Sequence, residues 1–506
     1  MNKGLKFVFL SCGSLFVGSA IPAAVKLPSV FSDHMVLQCE QAVLVWGTAA
    51  AGEKVTVKFR EQVKSTVADA AGKWQVKLDP LKAGGPDKLT VNDHVIDDVL
   101  VGEVWVGSGQ SNMAMHVKGY TKDDPGLAEL LAAAPYSQIR QMGLPGPWQV
   151  YCNGKWRVAT ASNAPHFSAQ LFAFGVRLHR DLGVPVGLLL AAASGSPSGM
   201  WLSEAALKND PACQAVIQKF AATFDATAER KANEAQRAQG KTQCGPRVPG
   251  EVYCRKEPPY YETYIRPLQP YGIRGVLWDQ GENGTGIVGL NDQYLVIDAL
   301  IRCWRQDWEQ PQLPFLIVQK QSGGGCAWDY TNPITAKAEP FGPLPATMAG
   351  EPAWGAYPRL ANLPHTGLVI TSDLGGGQHP VNKSGYAHRA ADVALGMVYG
   401  RKIQYYGPMY ESHTVEGNKV RVTFKETGQG LAFKHGDKLQ GFALSAEGQR
   451  FLWADAVIEG NTVVVSSPEV TKPAFVRYGW LANRPWANLF NKDGLPAVPF
   501  QTEQQR

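Results

Sequence analysis

The chain has 506 residues, enough for two or three domains and a large core. Its composition, 44% hydrophobic and 18% charged, is that of a folded globular protein and excludes a disordered or fibrous one. A formal charge of +5 over this length is too small to indicate a nucleic-acid or anionic-membrane partner, and it falls further if Lys3 and Lys6 are lost.

Those two lysines open a secretory leader. They are followed by an apolar stretch from Phe7 to Val17 and small residues up to Ala20 and Ala24. Cleavage after one of these alanines would remove residues 1–24 and place the protein in the periplasm or outside the cell. A buried N-terminal strand is the competing reading, which the leading lysines count against. Cys12 invites comparison with a lipoprotein signal, but the apolar run before it is too short. No later segment has about 20 uninterrupted apolar residues, so no membrane span is expected.

Of eight cysteines, seven survive loss of the leader, so at least one stays unpaired within the chain. Export permits disulfides. Cys244 and Cys254 bracket a Pro/Gly-containing loop and are the easiest pair to propose. With no Cys-x-x-Cys and no His-x-x-x-His, the sequence offers no metal site.

Residues 25–98 read as a small antiparallel β module. VLVWG (43–47), KVTVKF (54–59), KWQVKL (73–78) and KLTV (88–91) are short alternating runs separated by turn residues. Residues 99–401 have a different texture, in which apolar strands alternate with helical stretches. EVWVGSG (103–109), VPVGLLLAAASG (184–195), GIRGVLWDQGE (272–282), PFLIVQK (314–320) and TGLVITSDLG (366–375) are the strands. Residues 167–183, 294–308 and 382–400 carry helical periodicity with glycine stops at Gly183 and Gly400. Such alternation predicts an α/β fold with a parallel sheet covered on both faces, and ligands bind outside the carboxyl ends of its strands. Residues 225–259 are polar and mixed in charge, an insertion that is either a rim over the site or a solvated excursion. β texture returns over 402–506, a second β module.

Ser111, Gly195, Gln280, Glu282 and His379 all fall at the ends of the predicted strands. Ser111 follows a buried strand and a Gly-Ser-Gly turn, a placement suited to a nucleophile and equally to a helix N-cap. Met113 takes the place of the second glycine of a Gly-x-Ser-x-Gly elbow. His379, in GGGQHP, sits in a glycine-rich loop after a strand and is the candidate base. His179 and His388 lie within helical patterns and are less apt. The orienting carboxylate is Glu282 or Asp373. The backbone N–H groups of Ser111 and Gly195, with a group from the Gln280 loop, are candidate oxyanion donors. Gly195 serves equally as a tight-turn glycine, and Gln280 as a strand cap. Trp201 and Trp278, with Gln110 and Asn112, are candidate sugar contacts, though tryptophan more often packs in cores.

As a set, GEVWVGSGQSNM (102–113), WDQGE (278–282) and HPVNK (379–383), with PSVFSDHMVLQ (28–38), resemble the sialate O-acetylesterase type of SGNH hydrolase along nearly the whole chain after the leader. The resemblance implies a three-layer α/β/α catalytic domain at 99–401, flanked by the two β modules, that hydrolyses O-acetyl esters on sugars through an acetyl-enzyme without a cofactor. O-acetylated sialic acid is the first substrate it implies. An acetylated xylan or other plant polysaccharide, and a catalytically impaired carbohydrate-binding homologue, are the alternatives. It gives Ser111 as nucleophile, His379 as base, Gly195 as the second oxyanion donor and Gln280 as the position of the third. The chain departs from the SGNH pattern at Gly376, where an Asp three residues before the histidine is expected, and at Asn283 and Gly284, which replace Ser and Asn. The missing Asp makes Glu282 the preferred orienting acid, with Asp373 second and a Ser–His dyad third.

Overall fold

The computed structural model describes residues 25–143, 154–242, 244–253, 259–319, 346–348, 355–375, 377–481 and 487–503. The expected leader (1–24), Cys152, Cys254, Cys326 and Gly376 lie outside the described residues.

The N-terminal module contains β1 (Val36–Gln38), β2 (Val43–Thr48), β3 (Lys54–Phe59), β4 (Gln62–Val67), β5 (Lys73–Leu78) and β6 (Gly84–Val91). Alternation marks β3 and β5 because each buries one face: Val55, Val57 and Phe59 point inward, as do Trp74, Val76 and Leu78, while lysines between them face out. β2 pairs with β5, and β3 pairs with β4 and β6, all antiparallel. β4 escapes the pattern because Val63 and Val67 are exposed.

β7 (His94–Gly109) is a single 16-residue strand. Its first part pairs with β6 and β1; from Glu103 onward it pairs with the strands of the central sheet. The expected boundary at 98/99 therefore falls within one continuous strand.

The central sheet adds β8 (Tyr136–Gly143), β9 (Arg157–Ala159), β10 (Val186–Ala192), β11 (Gly275–Asp279), β12 (Phe315–Gln319) and β13 (Thr366–Ile370), in the order β13-β12-β11-β7-β10-β8-β9. The pairs along that order are parallel except β8/β9. The parallel strands read as continuous apolar runs because both faces are covered. α1 (Ser111–Ala114) caps β7, and the longer helices are α2 (Ala169–Leu182), α3 (Gln293–Asp307) and α4 (Lys383–Met397). α2 and α4 pack with Trp105, Leu188, Leu277 and Leu316 on one face. α3 packs with Val104, Val106, Val276 and Ile317 on the other. The result is a mixed α/β fold with a mostly parallel central sheet and added β modules.

This strand order creates a switch point. From β7 the chain moves outward to β8 and returns to β10; from β10 it crosses to β11, then β12 and β13. Connections leave in opposite directions on the two sides of β7, which opens a crevice at its carboxyl end.

The inserted segment forms a helix, Ala226–Ala238. Its following loop lies along the β11–α3 connection: Gly250 N–H donates to Val288 O at 2.8 Å, and Tyr253 N–H to Gly286 O at 2.9 Å. Strands between Met409 and Gln501 form antiparallel sheets around Val420, Val422, Phe442 and Val476. Phe451, Trp480 and Val498 extend that module into the main core. Among the described residues, no helix is long and apolar enough to cross a membrane.

Candidate active site

Ser111 is the first residue of α1, directly beyond the carboxyl end of β7. The turn that delivers it requires glycine. Gly109 has φ +124°, and a Cβ there would lie 2.1 Å from the Asp279 carbonyl oxygen. That contact exists because β7 and β11 are adjacent, and Gln110 N–H donates to the same carbonyl at 2.9 Å. Ser111 is 6% exposed.

His379 approaches from the loop after β13. Its Nε2 lies 2.8 Å from Ser111 Oγ, joining residues 268 positions apart in sequence. Ser111 is nearly buried and His379 exposed, so one side of the pair is open to solvent. A hydroxyl bonded to an imidazole in an open crevice can lose its proton to that ring as it attacks an electrophile.

The two candidate carboxylates have different partners. Asp373 is gripped by Arg389, with Nη1 at 3.1 Å from Oδ1 and Nη2 at 3.0 Å from Oδ2. Glu282 Oε1 accepts from Asn112 Nδ2 at 2.9 Å. Neither of these bonds reaches the His379 ring. Asn112 also donates to the Gln378 carbonyl at 3.1 Å and accepts from Lys383 Nζ at 2.7 Å.

Gly195, at φ +73°, lies in the turn after β10. Its carbonyl accepts from the Asn283 carboxamide. Gln280, expected to supply an oxyanion donor, is buried and turned inward. Its Nε2 donates to Gly284 O at 3.0 Å and Ser196 O at 3.4 Å, and its Oε1 accepts from Gln293 at 2.9 Å. The Gln280 carboxamide therefore braces the loop, and a donor from this loop would have to be another group. The exposed side chain on this loop, beside Gly195, is Asn283. The Gln280 carbonyl is held by the Tyr357 hydroxyl. Burial pushes that phenol well up, and the Glu282 and Asp279 carboxylates push it further, so it remains a donor.

The four expected sugar contacts are also corrected. Trp201 and Trp278 are fully buried and meet edge to face at 6.2 Å. Trp201 Nε1 donates to Ser196 Oγ at 2.9 Å. Gln110 and Asn112 are buried and bonded within the protein, so neither presents a face to a substrate. Sequence reading missed Lys383 and Arg389 as site-shaping groups. The HPVNK motif contains Lys383, but a lysine gives no sequence signal of burial. Among the described residues, no group of three or more His, Cys, Asp or Glu is placed to hold a metal. Cys244 is disulfide-bonded, while Cys39, Cys213 and Cys303 are free and buried. Cys254, its expected partner, is outside the described residues.

No protein-family model matches the chain. Human sialate O-acetylesterase is 26% identical over 530 residues, covering 94% of this chain and 92% of the human protein. The sialate O-acetylesterase of Rattus norvegicus is 28% identical, covering 76% of each chain. Among solved structures, a carbohydrate acetylesterase from Xanthomonas citri is 30% identical, with TM-score 0.74, over 95% of this chain and 100% of that one. Full-length similarity at this level, in sequence and in fold, means that the chain belongs to the carbohydrate acetylesterase family that includes the sialate O-acetylesterases.

Proposed function

We propose that the protein is a serine esterase hydrolysing O-acetyl esters on carbohydrates, with O-acetylated sialic acids as its first substrates. Its catalytic domain is of the SGNH type. The observation that carries the reading is the 2.8 Å contact between Ser111 Oγ and His379 Nε2 in the switch-point crevice. Family membership supports the carbohydrate part, since the curated relatives carry the name sialate O-acetylesterase.

Ser111 Oγ attacks the acetyl carbonyl and its proton passes to His379 Nε2. The oxyanion is held by the Ser111 and Gly195 N–H groups, with Asn283 from the third loop. The sugar oxygen leaves with the proton from His379. Water, deprotonated by the same ring, attacks the acetyl-enzyme and releases acetate. Glu282 is the acid of the site, acting from its seat on Asn112. Its leader assigns the mature protein to the periplasm or the extracellular space.

Acetate release from 9-O-acetylated sialic acid, acetylated xylan and p-nitrophenyl acetate tests the reading. Ser111→Ala is expected to lower kcat by roughly four to six orders of magnitude. Binding of glycans with no turnover of any ester by the wild type would overturn it in favour of a binding protein.

A further inference from the structure

Asn112 and Lys383 form a buried hydrogen-bonded pair behind the reacting groups. Asn112 follows the nucleophile on α1 and Lys383 opens α4 after the histidine loop. Both are fully buried. The Asn112 carboxamide touches two loops and the start of α4. It donates from Nδ2 to Glu282 Oε1 at 2.9 Å on the loop after β11, and to the Gln378 carbonyl at 3.1 Å, one residue before His379. It accepts at Oδ1 from Lys383 Nζ at 2.7 Å.

The chemistry of these partners fixes the amide. A carboxylate and a carbonyl only accept, so Nδ2 must face Glu282 and Gln378. An ammonium only donates, so Oδ1 must face Lys383. A flipped amide would lose all three bonds at once. The ammonium is itself held in place, over the ring faces of Tyr120 at 5.0 Å and Tyr386 at 5.7 Å.

We infer that Lys383 is a positioning residue. By holding the Asn112 carboxamide in one orientation it sets the Gln378–His379 backbone and the Glu282 carboxylate relative to Ser111. The inference rests on the esterase reading above. A charge buried at this depth is costly unless its partners are fixed, and this cost makes the arrangement rigid. An error of about 1 Å in a reacting group can cost roughly a hundredfold in rate.

The experiment is steady-state kinetics on p-nitrophenyl acetate with thermal melts of each variant. Lys383→Met keeps the apolar stem and removes the donor; kcat is expected to fall about a hundredfold with KM within about threefold. Lys383→Gln restores an N–H donor and is expected to recover at least about tenfold of that loss. A purely structural lysine would give no such rescue. Should Lys383→Met fail to fold, Asn112→Asp reads the same device. It keeps a partner for Lys383 but cannot donate to Gln378 or Glu282, and the same fall in kcat is expected. Wild-type kcat in folded Lys383→Met or Asn112→Asp, or a Lys383→Gln no faster than Lys383→Met, overturns the inference. Absence of Ser111-dependent turnover in the wild type would instead overturn the esterase reading itself.

Discussion

Arg389 and Asp373 form a two-pronged ion pair beside the histidine loop, at 3.1 and 3.0 Å, with both side chains largely buried. The pair occupies both oxygens of Asp373. The carboxylate that lies six residues before the candidate base is thereby tied to α4, whereas Glu282 is bonded to Asn112.

Asp373→Asn is therefore expected to act on stability. Breaking a largely buried pair removes the carboxylate charge facing Arg389, and a loss of about 3 kcal/mol is expected in denaturant titration. Its kcat should stay within about threefold of wild type, whereas Glu282→Gln should lose about a hundredfold. The reverse ranking in an acetyl-ester assay would make Asp373 the acid.

A second buried carboxylate governs acid stability. Glu103 accepts from Arg274 at 2.7 and 3.1 Å, from Gln38 at 3.1 Å, from Cys39 at 3.0 Å and from Tyr399 at 3.0 Å. Burial alone would raise its pKa, but Arg274 and these donors outweigh it and hold the carboxyl below the ordinary 4.5. A depressed folded pKa contributes stability above the ordinary value and loses it as pH falls through the folded one. Glu103→Gln should be less stable than wild type by about 3–5 kcal/mol near neutrality, with the gap closing below pH 4.5. A gap that stays constant down to strongly acid pH would refute the assignment.

The tryptophans offer a test of core against subsite. Trp201→Ala should cost about 3–5 kcal/mol through the cavity it leaves. Trp201→Phe should leave KM for acetylated sugars within about twofold, because the ring never meets solvent. A large rise in KM for sugar esters, absent with p-nitrophenyl acetate, would return Trp201 to the substrate.

Thiol chemistry gives a further check. Burial, then neighbouring carboxylates, pushes the thiols of Cys39 and Cys213 up to about 12, and burial raises that of Cys303. The thiolate is the reactive form, so these three should react with a disulfide reagent only on the timescale of unfolding. Rapid labelling of any of them in the native protein would contradict their described burial.

Much of this architecture was legible in the sequence, because parallel strands buried on both faces produce runs such as VPVGLLLAA that resemble little else. The helix expected over 294–308 is found at Gln293–Asp307, and β3 and β5 have their expected bounds. The Ser111–His379 pairing was legible through its motifs. Side-chain direction was not. Gln280 and Trp278 sit in a site motif, yet face the interior, since a motif records chain position and not which way an amide or an indole turns. Lys383 was missed for a related reason: its burial depends on rings from Tyr120 and Tyr386, which only tertiary packing brings together.

β7 also has a consequence for how this protein can vary. Strand faces alternate with a period of two, so one added or deleted residue exchanges inward and outward positions. The pairing of this strand with β6 shifts register near Asp98, but residues 100–109 run in regular register against β1 and then β10, so an indel within that stretch would be transmitted to both cores and to the position of Ser111. The N-terminal module is thus no interchangeable appendage. It shares a ruler with the nucleophile, and a lineage that shortened or spliced that ruler would have to re-register the active site at the same time.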